Sequence, residues 1–77
     1  MKTEKITKVL ESLKEHVFKF EETYRYKVQD EEIILTSKES YYRTYMGNID
    51  WVAEVATFFD VSMGVGIEDG ELYLRLS

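Results

Sequence analysis

Between Thr3 and Phe20 the apolar residues Ile6, Val9, Leu10, Leu13, Val17 and Phe20 recur at three- and four-residue intervals, within an arc of about 100° on a helical wheel. That spacing predicts an amphipathic helix packed by one face, with Thr3 as its N-cap. On the opposite face, Glu4 with Lys8 and Glu15 with Lys19 are four-residue pairs in the favourable order. Phe18 lies well off the apolar arc.

From residue 24 the period changes to two. Tyr24, Tyr26 and Val28 alternate with Arg25, Lys27 and Gln29, which predicts a half-buried strand. The polar run "DEE" at 30–32 turns the chain into "IILTS". Pairing Val28 with Ile33 sets Tyr26 opposite Leu35 on the same face, so the hairpin register is self-consistent. "YYRTYM" at 41–46 has the aromatic and β-branched content of a third strand, with a short helix as the competing reading. If Tyr42 and Met46 point inward there, Tyr41, Arg43 and Tyr45 point outward.

Asn48 is placed to cap a second helix from Ile49 to about Phe59, with Asp50 in its first turn, where a carboxylate suits the helix dipole. Beyond it, the Asp69-Gly70 pair predicts a two-residue type I′ turn. That turn places Ile67 opposite Leu72, Val65 opposite Leu74 and Met63 opposite Leu76, all on one face. On the other face Tyr73 lies opposite Gly66 and covers its bare backbone. The order α-β-β-β-α-β-β predicts an α+β fold: a two-layer sandwich of four or five antiparallel strands with two helices on one face, spanning residues 1–77 as one domain.

Composition narrows the classes of function. The 77 residues include no cysteine and no proline, and 44% are hydrophobic, enough to fold despite 32% charged residues. No apolar run is long enough for a membrane span. The lysine-rich start leads into an amphipathic pattern rather than a signal peptide, and the lack of cysteine suits a reducing cytoplasm. Net charge is −5, divided unevenly: residues 1–29 carry seven Lys or Arg against five Glu, and residues 30–77 three against ten acidic side chains. An acidic total disfavours nonspecific nucleic-acid binding.

Enzyme chemistry has few candidate groups. His16 is the only histidine, and no nucleophile elbow, metal-ligand set or phosphate loop is present, so neither catalysis nor a cofactor or metal is expected. The carboxylates gather at the expected turns, 30–32 and 68–71, as solvated loops do. Their weaker alternative reading is an acidic DNA mimic.

Two surfaces stand out. The second helix has an ordinary core face in Ile49, Val52, Ala53, Ala56 and Phe59, and a second apolar strip in Trp51, Val55 and Phe58. Either the first helix covers that strip, with Phe18 against it, or the strip is a self-association or partner surface. The expected function is therefore a small non-enzymatic protein-binding or regulatory module, of the kind that serves phages and mobile elements as accessory or inhibitory proteins, binding a protein partner or forming a homodimer. The alternative is a single-stranded nucleic-acid or anionic-ligand binder. It would use Arg25, Lys27, Tyr41, Arg43, Tyr45, Tyr73 and Arg75 on the open face of the sheet.

Overall fold

The chain has an α+β fold, known from a computed structural model that describes residues 1–40 and 46–77. Its described elements are α1 (Thr3–His16), α2 (Phe20–Thr23), β1 (Tyr24–Gln29), β2 (Glu32–Ser40), α3 (Met46–Phe58), β3 (Met63–Glu68) and β4 (Glu71–Leu76). The four strands form one antiparallel sheet in the order β1-β2-β4-β3. Both hairpins adopt the expected registers. Val28 pairs with Ile33 and Tyr26 with Leu35; Ile67 pairs with Leu72, Val65 with Leu74 and Met63 with Leu76.

The turn residues fix those registers. Asp69 and Gly70 both have positive φ, 53° and 78°, as a type I′ turn demands. The β1–β2 turn makes the same demand of Asp30 and Glu31, at 52° and 62°, without a glycine. Glu32, expected in that turn, is already the first residue of β2. The β2–β4 ladder is regular from Ile33 to Thr36 and then irregular before Ser40 meets Glu71.

One face of the sheet carries the core. Ile33 and Leu35 of β2 and Leu74 and Leu76 of β4 are completely buried beneath Ile6, Val9 and Leu13 of α1 and Val52, Val55 and Ala56 of α3. The central strands are covered and the edges are not. Tyr24 is buried, but Tyr26 and Val28 on β1 and Val65 and Ile67 on β3 remain exposed, although alternation directs all of them to the core face.

The helices depart from expectation at their ends. The N-cap is Lys2, whose carbonyl accepts the Ile6 amide at 3.0 Å, and Thr3 is the first helical residue. Helix α1 stops at His16, before the expected Phe20. Val17 turns extended, Lys19 takes a left-handed conformation with φ 55°, and Phe20 opens the single turn of α2. This corner keeps Val17 and Phe20 buried while Phe18 projects outward. Helix α3 begins at Met46, ahead of Asn48, so at that residue helix replaces the expected strand. The rest of the expected third strand, with Tyr41, Tyr42, Arg43 and Tyr45, lies outside the described residues.

Candidate functional site

Asn48 does not cap α3. It sits in the helix's first turns, and its Nδ2 donates to the Phe18 carbonyl at 2.8 Å, tying the α1–α2 corner to α3. The tie holds Phe18 against Trp51. Their ring centroids are 6.0 Å apart with an interplanar angle of 82°, an edge-to-face geometry favoured by the ring quadrupoles. The Lys19 ammonium stands 5.4 Å from the Phe18 centroid.

Trp51, Glu54, Val55 and Phe58 share one face of α3 by their three- and four-residue spacing. With Ser12 and His16 of α1 they line an open groove of about 410 Å³, room for one or two large side chains. The three strip residues take different places in it. Val55 is buried and belongs to the core, forming the floor, while Trp51 is 42% exposed and Phe58 81% exposed. Phe59 braces Phe58 edge-on at 5.0 Å. Phe18, at 62% exposure, extends the aromatic surface beyond Trp51. Packing therefore covers the middle of the strip at Val55, the Phe18 corner touches one end at Trp51, and both ends remain open.

The opposite face of the sheet brings together Arg25 and Lys27 of β1 and Tyr73 and Arg75 of β4, around Ile34 and Thr36 of β2. Its arginines are not free. Arg25 Nη2 lies 3.2 Å from Glu71 Oε2, and Arg75 Nε lies 3.1 Å from Glu32 Oε2. Glu68 and Asp69 add negative charge to the same depression. Tyr73 leans on the Gly66 backbone instead of standing clear as a stacking platform. Tyr41, Arg43 and Tyr45, the remaining residues of that reading, lie outside the described residues.

Two pKa shifts among the described residues fall elsewhere. The Lys14 ammonium is raised, chiefly by its hydrogen bond to Tyr26, over whose ring it sits at 5.0 Å. Burial pushes the Tyr24 hydroxyl up to about 12. His16 is exposed on the groove wall. Among the described residues no three His, Asp or Glu side chains converge as a metal site, and no helix is long and apolar enough to cross a membrane.

Sequence reasoning singled out Trp51, Val55, Phe58 and Phe18 but missed the α1 wall of the groove, Ser12 and His16, because nothing in the spacing of one helix shows which polar residues its neighbour contributes; Glu54, on the strip's own face, escaped a search for apolar spacing. It also missed the exposure of Val65 and Ile67. Comparison of the chain with protein-family models, with curated proteins and with solved structures finds no match.

Proposed function

We propose that this chain is a non-enzymatic protein-binding module of regulatory type, and that its contact surface is the groove between α1 and α3, lined by Trp51 and Phe58, together with Phe18 beside Trp51. One observation carries the reading: Phe18 and Trp51, in edge contact, and Phe58, two turns along α3 from Trp51, all stand in the open beside one groove. Aromatic rings bury large areas on contact, and tryptophan is enriched among residues that dominate interface energies. Burial of apolar surface contributes roughly 25 cal/mol per Å², so covering these rings gives a partner a concentrated source of affinity.

The acidic side chains beside the rim define the complementary chemistry. Asp50 and Glu54 flank Phe58 on α3, and the chain as a whole is acidic. The fitting partner is an amphipathic segment with one or two apolar anchors and neighbouring Lys or Arg. The sheet face supports anion or nucleic-acid binding less well, since a phosphate there would have to displace Glu71 and Glu32 from the two arginines.

The test is selection of peptides displayed on phage against the folded protein, followed by titration of synthetic winners while Trp51 emission is recorded. The expected winners combine aromatic or aliphatic anchors with basic residues, shift Trp51 emission to the blue, and lose binding to Phe58→Asp. Winners that bind the Phe58→Asp protein unchanged, or no winners at all, would count against the groove.

A further inference from the structure

The two edges of the sheet are treated differently. Edge strand β1 alternates its inward residues with Arg25 and Lys27, and Lys14 covers Tyr26, devices that discourage another strand from adding there. Edge strand β3, "MGVGIE", has no lysine, arginine or proline, and pairs with β4 without a bulge from Met63 to Glu68. Among the described residues no strand lies beyond it. Val65 is 57% exposed and Ile67 55% exposed at this unguarded edge.

The backbone of β3 shows what the edge offers. Ser62 and Ser77 exchange both backbone hydrogen bonds, each 3.0 Å, so residues 62, 64, 66 and 68 direct their backbone groups to β4. Met63, Val65 and Ile67 then direct theirs outward. The residues with available N–H and C=O groups are thus the ones that carry the apolar side chains. The segment is also symmetric about Val65, reading apolar-Gly-apolar-Gly-apolar from Met63 to Ile67.

We infer that β3 is a self-association edge: two copies of this chain pair it antiparallel about a two-fold axis at Val65, making one eight-stranded sheet. In that register Val65 faces Val65 of the second copy and Met63 faces its Ile67, and each such pair exchanges two backbone hydrogen bonds. Gly64 falls opposite Gly66 of the second copy on the open face, where neither has a side chain to obstruct the approach. Glu68, the only charged residue of β3, falls opposite Ser62, so no like charges meet within the ladder despite the net −5. A two-fold axis normal to the sheet keeps both helix layers on one side and shelters Val65 and Ile67 between them. The aromatic groove stays open in each copy, so the dimer presents it twice.

Light scattering behind a sizing column, over a hundredfold range of concentration, reads the association as a rise from 9.1 kDa toward twice that mass. Val65→Lys sets two ammonium groups face to face at the axis and should hold the mass at the monomer value, while Trp51→Glu should still dimerise. In the dimer of the unaltered chain the amides of Met63, Val65 and Ile67 exchange more slowly as concentration rises. A mixed-isotope sample shows an intermolecular contact between the α-protons of Gly64 and Gly66; neither of these readings depends on a variant that folds. A strict monomer at every concentration overturns the inference. So does a dimer that survives Val65→Lys and is lost with Trp51→Glu, which would place self-association on the aromatic groove instead.

Discussion

The ring of Tyr73 lies across the backbone of Gly66 on the open face of the sheet, so close that a β-carbon added at residue 66 would overlap the phenol's Cζ and hydroxyl oxygen. The pair explains a glycine that strand propensity alone would reject. Gly66→Ala should lower stability by about 1–3 kcal/mol, the usual cost of forcing a side chain into occupied space. In a Tyr73→Ala background the space is empty, and the same substitution should become neutral or favourable, since alanine restricts the unfolded chain. Urea denaturation of the four proteins of this double-mutant cycle reads the coupling directly.

The Tyr24 hydroxyl is buried with no hydrogen-bond partner among the described residues, although its ring packs well against Phe20 at 5.9 Å. Removing an unsatisfied buried group of otherwise equal shape should help: Tyr24→Phe is expected to stabilise the fold by about 1 kcal/mol. The two proteins should diverge further in alkali. Burial raises the folded pKa from 10.0 to about 12, so the unfolded chain ionises first. Stability is intact below pH 10 and falls as pH climbs toward 12, by about 2–3 kcal/mol at that limit. Denaturation midpoints across this window should decline more steeply for the unaltered chain than for Tyr24→Phe.

The two hairpins and their registers were legible in the sequence because turn chemistry fixes register and register fixes faces, whereas the pairing of β2 with β4 that joins them carries no local turn signal. Asp69-Gly70 alone determined three apolar pairs and the meeting of Tyr73 with Gly66. The end of α1 was not legible. Val17 and Phe20 continue the helical period, and the residue that breaks it, Lys19 at φ 55°, carries no glycine or proline signal. Nor did the start of α3 show itself, because Asn48 resembles a cap yet is held by a carbonyl thirty residues away. Exposure at the edges failed for a different reason. Alternation states which face Val65 and Ile67 occupy, but only the extent of the helix layer decides whether that face is covered. The same limit applied to the second helix: periodicity put Trp51, Val55 and Phe58 on one strip, while packing buried the middle residue and left the outer two in the open.

The β1–β2 turn stores a correctable strain. Asp30 and Glu31 both occupy left-handed backbone conformations that cost a residue with a β-carbon roughly 1 kcal/mol or more each. Glu31 contributes its carbonyl, which accepts a bond from the Met1 ammonium at 2.8 Å, and a backbone acceptor survives substitution. Glu31→Gly should therefore raise stability by about 0.5–1 kcal/mol, the relief of strain being partly offset by the greater freedom of glycine in the unfolded chain. Thermal unfolding followed by far-ultraviolet circular dichroism checks it, and a lower midpoint would show that the Glu31 side chain contributes more than its exposed position indicates.

Two residues one turn apart on α3 give the sharpest contrast. Val55 is 6% exposed beneath the groove and Phe58 is 81% exposed at its rim. An aspartate at 55 buries an unpaired charge in a domain whose whole core is small, a change that costs several kcal/mol and exceeds what a chain of this size can spare. Val55→Asp should leave no cooperative unfolding transition at room temperature. Phe58→Asp gives up mainly exposed surface together with the edge contact to Phe59, and should lower stability by no more than about 1 kcal/mol. Trp51→Glu falls between the two, losing the edge-to-face contact with Phe18, worth about 0.5–1.5 kcal/mol, while retaining the fold. Denaturant titrations of the three variants rank them, and an unfolded Phe58→Asp protein would mean that the rim of the groove is part of the core and not a surface open to a partner.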